Sequence, residues 1–272
     1  MSAHRSIRRP AVALATVAST ALAVVLGLAS PAAAAAKPSF TKVTGAAPDA
    51  VGLRVTVDQF RALLGEPNNG SGPPAQNGRR ELSWDGTPDA QSAPNLMPPD
   101  FFNTVVPRGA VFATNKGSRF QVSADDDNPT NTAVRFANIN AQFDDIFATF
   151  SPQKLFTPLD TNRMTVKFFV PGTQERATVK GFGAVFADVD DRDSTKVELY
   201  DRNGKRIWSS FVPKGPKRNK SLSFLGVKTS ADIYEVRITS GDVPLRAGKN
   251  DNWWRDVVVM DDFLYSEPDR LS

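Results

Sequence analysis

The sequence predicts an all-β protein, an antiparallel β-sandwich with jelly-roll-like connections and one short N-terminal helix. Many short segments alternate apolar and polar side chains, and polar turns separate them. Residues 181–212 contain three such segments in succession, with the turn Asp201–Gly204 (DRNG) between the last two. Asn-Gly tolerates the positive φ that tight hairpins need, so this turn predicts a hairpin. Short strands at such regular spacing are typical of sandwiches and barrels.

The first predicted element is a helix at about residues 57–64. Thr56 and Gln59 have the spacing of a capping box. Gly65 is expected to end the helix. Three apolar residues share one face of it: Phe60, Leu63 and Leu64. Residues 37–53 are weakly patterned, and we interpret them as a tail or a first edge segment.

A series of short strands follows the Gly- and Pro-rich loop 66–77. The predicted strands are 79–84, 111–114, 120–123, 133–138, 146–150, 164–170, three within 181–212, 222–227, 233–239 and 257–265. Four prolines between residues 87 and 99 exclude a central strand there. No linker interrupts these strands. We therefore predict an N-terminal segment at 37–78 and one β-sandwich domain at 79–272.

Residues 1–36 have the pattern of a signal peptide. Four basic residues come first: His4, Arg5, Arg8 and Arg9. The apolar run 11–29 and the alanines 32–36 follow, which predicts cleavage between Ala35 and Lys37. We expect a secreted, extracellular protein without a membrane span after cleavage. An uncleaved membrane anchor is the alternative, because the apolar run is long enough to span.

Charge and composition narrow the classes of function. Cleavage would remove three arginines, so Lys and Arg fall from 33 to 30 against 29 Asp and Glu. The mature chain is then nearly neutral, and we expect no nucleic-acid partner. The chain has no cysteine, and its single histidine, His4, lies in the predicted signal peptide. This excludes Ser-His-Asp and Cys-His catalysis and His-ligated zinc from the mature protein.

No catalytic residue is assigned from the sequence. Carboxylates are the only general acid/base candidates present in quantity, and Glu198 or Glu235 paired with an Asp would suit a glycoside-active enzyme. That enzyme is one alternative function. A structural or adhesive surface protein without a small ligand is another.

Two acids interrupt the apolar strand that begins at Val257. Asp261 and Asp262 follow four apolar residues, so at least one carboxylate is expected to face inward. A buried carboxylate needs a partner or a metal. We predict a structural Ca²⁺ held by Asp261, with Glu81 and Asp85 as further ligands. The alternative is a salt bridge to one of three arginines: Arg79, Arg80 or Arg237.

A second acidic group follows the strand that ends near residue 187. Its members are Asp188, Asp190, Asp191 and Asp193. Such closely spaced like charges need compensation, so the group is either a solvated turn neutralised by Arg192 and Lys196 or an oxygen-rich Ca²⁺ site. Asp125, Asp126 and Asp127 are interpreted as a turn.

Two adjacent tryptophans lie in the polar loop 248–255. Exposed Trp253 and Trp254 rings would stack on sugar faces. Three polar neighbours would bind the sugar hydroxyls: Asp251, Asn252 and Arg255. This predicts a carbohydrate site. The alternative is that one indole covers the core and the other covers the loop.

Several segments together resemble a known group of proteins. They are FRALLGEPNNG, GRRELSWDG, PPDFFNTVVPRGAVFAT, FANIN, FATFSPQKLFTP, TVKFFVPGT, GFGAVFADVD, LSFLGV, VRITSG and DVVVMDDFLYSEP. Across nearly all of the mature chain they resemble a family of exported bacterial β-sandwich proteins for which no activity is established.

The C-terminal half also resembles galactose-binding-like jelly rolls, including carbohydrate-binding modules. In those proteins a last strand ending apolar-Asp-x-apolar donates a carboxylate to a structural Ca²⁺. The segment Met260–Phe263 matches that pattern and places Asp261 in the ligand position. The resemblance implies an exported, non-catalytic module that binds a glycan or cell-wall polymer, which is the function we favour from the sequence.

Overall fold

Two antiparallel sheets make up the fold in the computed structural model, which describes Met1 and residues 37–117 and 119–271. The predicted signal peptide, residues 1–36, lies outside the described residues except for Met1. The described part of the chain contains no helix long and apolar enough to cross a membrane.

The strands of the described residues are β1 (Phe40–Ala47), β2 (Arg79–Leu82), β3 (Ala110–Ala113), β4 (Phe120–Val122), β5 (Phe156–Pro158), β6 (Arg163–Phe168), β7 (Ala177–Ala187), β8 (Lys196–Tyr200), β9 (Arg206–Phe211), β10 (Leu222–Ile233), β11 (Glu235–Thr239), β12 (Val259–Ser266) and β13 (Asp269–Arg270). The α-helices are α1 (Ala50–Leu64), α2 (Phe101–Thr104) and α3 (Phe143–Ile146).

Sheet A has the order β1-β10-β7-β12-β5-β4, with β2 also paired to β12 and β13 paired to β7. Sheet B has the order β3-β6-β11-β8-β9. The predicted hairpin joins β8 to β9, and Gly204 adopts a φ of 74° in its turn. These sheets confirm the predicted all-β antiparallel sandwich. The jelly-roll connections stay a prediction.

Aromatic side chains fill the core around Trp84. The Trp84 ring stacks on Phe156 with centroids 4.0 Å apart, and Phe263 meets it edge-on. The indole N–H donates to the carbonyl of Asp261 at 2.8 Å, so the buried ring has its polar atom satisfied. Phe101 and Phe102 are buried in the same cluster and anchor the end of the proline-rich loop.

Helix α1 begins earlier than predicted. Asp49, not Thr56, is the N-cap, and its Oδ1 accepts from the backbone N–H of Gly52 at 2.8 Å. The helix ends before Gly65, as predicted. The first turns, which were not predicted, contain Gly52 and β-branched residues. These residues have low helix propensity, so the sequence alone does not indicate a helix there. Four residues of the helix are buried: Leu53, Val57, Phe60 and Leu64.

Two glycines let α1 lie close to sheet A. Gly183 and Gly226 are direct partners in the β7–β10 register. A Cβ on either would come within 2.7 Å of the Phe60 ring. The sheet therefore has a local depression that receives the largest side chain of the helix.

Residues 133–138 and 146–150 are not strands, and this part of the prediction is wrong. Turns occupy 135–139, where Arg135 and Phe136 both have positive φ. The short helix α3 covers 143–146. The buried residues here recur with helical spacing, and they pack on the outer face of sheet A: Phe143, Ile146, Phe147 and Phe150. Strand β5, which supplies Phe156, was not predicted.

The N-terminal segment is part of the sandwich. Strand β1 pairs along its whole length with β10 at the edge of sheet A, in agreement with the edge-segment interpretation of residues 37–53. Residues 38–272 form one compact unit. A fully buried ion pair adds to this continuity, because Arg80 Nη2 lies 2.7 Å from Glu267 Oε1. Arg80 also donates to three carbonyls of the Gly- and Pro-rich loop, from Nη1 to Gly70 and Gly72 and from Nη2 to Pro73.

Candidate functional site

A tight turn presents both predicted tryptophans to solvent. Asn252 and Arg255 exchange backbone hydrogen bonds of 3.0 and 3.2 Å, and Trp253 and Trp254 lie between them. The Asn252 side chain accepts from the N–H of Trp254 at 2.9 Å, which stabilises the turn. The indoles are 82% and 87% exposed. Neither indole covers the core, so the structure has the exposed arrangement and not the alternative in which one ring covers the core and the other the loop. We call residues 252–255 the tryptophan turn.

A pocket of about 330 Å³ borders this turn. The guanidinium of Arg218 lies 4.1 Å from the centre of the Trp253 ring, in a cation–π contact. The pocket is lined by Asp190, Asp191, Lys214, Gly215, Pro216, Lys217, Arg218, Asn252 and Trp253. The basic loop 214–220 therefore contributes to the candidate site.

Asp251 directly precedes the tryptophan turn and is buried. Only 5% of it is exposed, and its Oδ1 accepts from the N–H of Val257 at 3.2 Å. Its Oδ2 is 3.6 Å from Arg218 Nη2. Of the five predicted ligand-binding residues, the two indoles are thus exposed, Asn252 and Arg255 are half-buried, and Asp251 belongs to a buried acidic cluster.

The acidic cluster under the turn consists of Asp188, Asp190, Asp251 and Asp256, all nearly or fully buried. Asp256 accepts from the N–H groups of Asp190 and Asp191 at 3.2 Å each and from the Ser194 hydroxyl, so it fixes the loop after β7. Asp190 accepts no hydrogen bond, and its Oδ2 is 3.4 Å from Arg218 Nε. The sequence pattern gave no sign of Asp251, Asp256 or Arg218 in this cluster, because the contacts join distant parts of the chain.

Burial and mutual repulsion raise the pKa values in this cluster. Desolvation, followed by the charges of Asp190, Asp251 and Asp256, raises the pKa of Asp188 to about 10. Desolvation and the charge of Asp251 raise the pKa of Asp190 to about 6, although Arg218 opposes the shift. Desolvation raises the pKa of Asp256 to about 7, although the hydrogen bonds that its carboxylate accepts lower the pKa. Each shift shows that the charged forms are poorly compensated.

Asp261 is fully buried, and hydrogen-bond donors surround it. Its Oδ2 accepts from the N–H of Phe150 at 2.6 Å, and its Oδ1 accepts from the N–H of Asp262 at 2.8 Å. The Ser151 hydroxyl lies within 3.1 Å of Asp261 and 2.8 Å of Asp262. Desolvation and the adjacent charge of Asp262 raise the pKa of Asp261 well above its ordinary value.

The two other predicted metal ligands have partners of their own. Glu81 is bound by Arg61 and Arg79, with N–O distances of 2.7 Å. Asp85 accepts from the Ser83 hydroxyl at 2.7 Å and from the N–H of Lys154 at 2.9 Å. Asp85 is close enough for its charge to raise the pKa of Asp261, after burial and the contacts with Asp262. Calcium at Asp261 stays a prediction.

The salt bridges proposed as the alternative for Asp261 form with other acids. Arg79 binds Glu81 and Glu66, and the other two arginines form the pairs Arg80–Glu267 and Arg237–Glu235. Within the described ranges, no three His, Cys, Asp or Glu side chains are already grouped so as to hold a metal ion.

The carboxylates of the alternative enzyme line a cavity of about 520 Å³ on sheet B. Glu198 contacts Lys196 at 3.1 Å and Arg206 at 2.8 Å, and Glu235 contacts Arg237 at 2.6 Å. Burial alone would raise the pKa of Glu198, but the hydrogen bonds from Arg206 and Lys196 outweigh it and lower the pKa. A carboxylate held in its ionised form is a poor general acid.

No protein-family model matches this chain, and the search of curated proteins finds no match.

Proposed function

We propose that this chain is an exported, non-catalytic binding module for a glycan or cell-wall polymer, and that the tryptophan turn is its contact surface. The observation that carries the proposal is the pair of adjacent indoles at 82% and 87% exposure on a hydrogen-bonded turn. Large exposed aromatic rings leave apolar surface in water, which favours a ligand that covers it.

The surroundings of the turn suit a polyhydroxylated ligand. An indole offers a flat apolar face, and polar side chains beside it fix the orientation of the ligand. The adjoining pocket supplies Asp191, Lys217 and the half-buried Asn252 for that role. The turn is closed by its own hydrogen bonds, so binding costs little additional ordering.

The alternative of a glycoside-active enzyme is less favoured. Its reaction requires one carboxylic acid able to donate a proton, with a second carboxylate as base or nucleophile. Glu198 and Glu235 both contact cationic side chains, and the pKa of Glu198 is lowered. A binding module needs no proton donor.

Binding to a panel of soluble glycans and insoluble cell-wall polysaccharides tests the proposal. We expect Trp253→Ala and Trp254→Ala each to weaken binding roughly tenfold or more, since truncating an anchoring aromatic residue has effects of this size. Phe211→Ala is the matched control, because Phe211 is an exposed aromatic residue on edge strand β9. Binding that survives the double tryptophan variant, or that Phe211→Ala weakens equally, overturns the proposal.

A further inference from the structure

The cluster under the tryptophan turn has more negative charge than its neighbours compensate. The charges of Asp190 and Asp251 both raise the pKa of Asp188. Arg218 is the cationic group that the structure places in contact with two of them, at 3.4 and 3.6 Å. Its side chain is one-third exposed and also stacks on Trp253.

Asp188 is the most unusual member of the cluster. It is 0% exposed, and neither carboxylate oxygen has a hydrogen-bond partner among the described residues. A carboxylate removed from water without donors is strongly destabilising. Both oxygens of Asp190 also lack a hydrogen-bond donor. Four buried carboxylate oxygens within three residues of the chain therefore lack the hydrogen-bond donors that such atoms require, and only Asp190 has an ion contact, with Arg218 at 3.4 Å.

We propose that Asp188 and Asp190 bind a Ca²⁺ ion beneath the tryptophan turn, with Asp251 as a third acidic group at the edge of the site. This inference does not depend on the identity of the proposed glycan ligand.

The atoms available as metal ligands determine which cation fits the site. They are oxygens, and no cysteine occurs in the chain. Hard oxygen donors suit calcium, which accepts six to eight of them in irregular geometry. The buried Ser221 hydroxyl also lacks a partner, and the Ser221 carbonyl accepts the N–H of Asp188 at 3.0 Å. Two carboxylates with neutral oxygens and water would fill the coordination shell without a preformed group of three acids.

An ion at this position would also affect the tryptophan turn. Arg218 shares its guanidinium between the acids below and the Trp253 ring. A divalent cation would take over the compensation of Asp190 and Asp251 and repel Arg218. The contact between Arg218 and Trp253 would then change, so calcium binding is expected to alter tryptophan fluorescence.

Calcium titration of the purified chain tests the site. Isothermal calorimetry measures binding, and thermal unfolding measures the gain in stability. Calcium is the only ligand added, and the reference is the same protein in the presence of a calcium chelator. We expect the melting temperature to rise by roughly 5–10 °C when calcium exceeds its dissociation constant about a hundredfold. Asp188→Asn and Asp190→Asn are expected to weaken binding by at least about tenfold, because fewer ligand charges lower affinity. Asp193→Asn, an exposed acid of the same segment, is the matched control and should bind as the parent does.

The variants separate lost binding from lost folding. Asn accepts the positive φ of 70° at position 188, so Asp188→Asn is expected to fold and, in chelator, to melt no lower than the parent. A parent chain that neither binds calcium nor gains stability from it overturns the proposal and leaves a protonated Asp188. Retained binding in both Asp188→Asn and Asp190→Asn also overturns it, as does binding that only Asp261→Asn abolishes.

Discussion

Asp262 shows how a buried acid makes stability depend on pH. Burial raises its pKa to about 6 even though the Ser151 hydroxyl donates to it, and its backbone N–H donates to the fully buried Asp261. Because the pKa of Asp262 is higher in the folded state, protonation of Asp262 stabilises the fold. This contribution to the free energy of unfolding is complete below pH 3.8, the pKa in the unfolded chain, and is lost as pH rises through about 6. The pair therefore favours the folded state in mildly acidic solution.

We expect Asp262→Asn to reduce this pH dependence. In chelator, the free energy of unfolding of the parent should increase from about pH 7 to about pH 5, and the contribution of Asp262 is on the order of 1 kcal/mol. Denaturant unfolding at several pH values measures it. The exposed control Asp193→Asn should retain the slope of the parent. If Asp262→Asn leaves the slope of the free energy of unfolding against pH unchanged, other carboxylates cause the pH dependence.

Single residues also show what the sequence could reveal about the site. The polar loop allowed two arrangements of Trp253 and Trp254, and the structure has the exposed one. The burial of Asp261 followed from the apolar strand that it interrupts. The approach of Arg218 to Trp253 was not predictable, since it depends on how two distant loops meet. The same holds for the convergence of Asp251 with Asp188.

Among the elements, helix α1 depends on the absence of side chains in the strands beneath it. Ala at Gly183 or Gly226 would place a Cβ 2.7 Å from the buried ring of Phe60. Overpacking of this kind typically costs about 1–3 kcal/mol. We expect Gly226→Ala to lower the free energy of unfolding by that amount, measured by denaturant titration.

A smaller helix residue should relieve the clash. Phe60→Leu destabilises the parent by removing buried ring area, but it is expected to cost less in the Gly226→Ala background, and the double-mutant cycle measures the difference. Gly204→Ala is not a suitable control because Gly204 has positive φ. Gly86→Ala is suitable, since a Cβ there meets no atom within 4 Å. Strictly additive effects would show that the cost of Gly226→Ala does not come from a clash with the Phe60 ring.

Elements with a clear period were predictable, and those with mixed signals were not. The alternation in β7, β8 and β9 and the DRNG turn located the hairpin correctly. A strand was predicted at residues 146–150, although the phenylalanines of the segment 143–150 are spaced by four and three residues, which fits a helix and a buried loop. The beginning of α1 was missed because its first turns are stabilised by packing and by the Asp49 cap more than by helix propensity.

At the scale of the whole molecule, the position of β1 bears on processing. Cleavage between Ala35 and Lys37 would leave β1, which begins at Phe40, intact for its pairing with β10. We expect N-terminal sequencing of protein from culture medium to give a first residue in that interval. An intact Met1 or Ser2 on protein recovered from a membrane fraction would contradict the prediction and favour the anchor.

The central position of β12 in sheet A has a consequence for synthesis. This strand pairs with β7 on one side and with β2 and β5 on the other, yet it is translated after all three. A ribosome must therefore complete almost the entire chain before sheet A can close, and the fold has a high contact order. Until then β2 and β5 lack their central partner, and the strand edges that they leave unpaired favour aggregation. Sheet A can thus be completed only after β12, which precedes only β13 among the described strands, has been made.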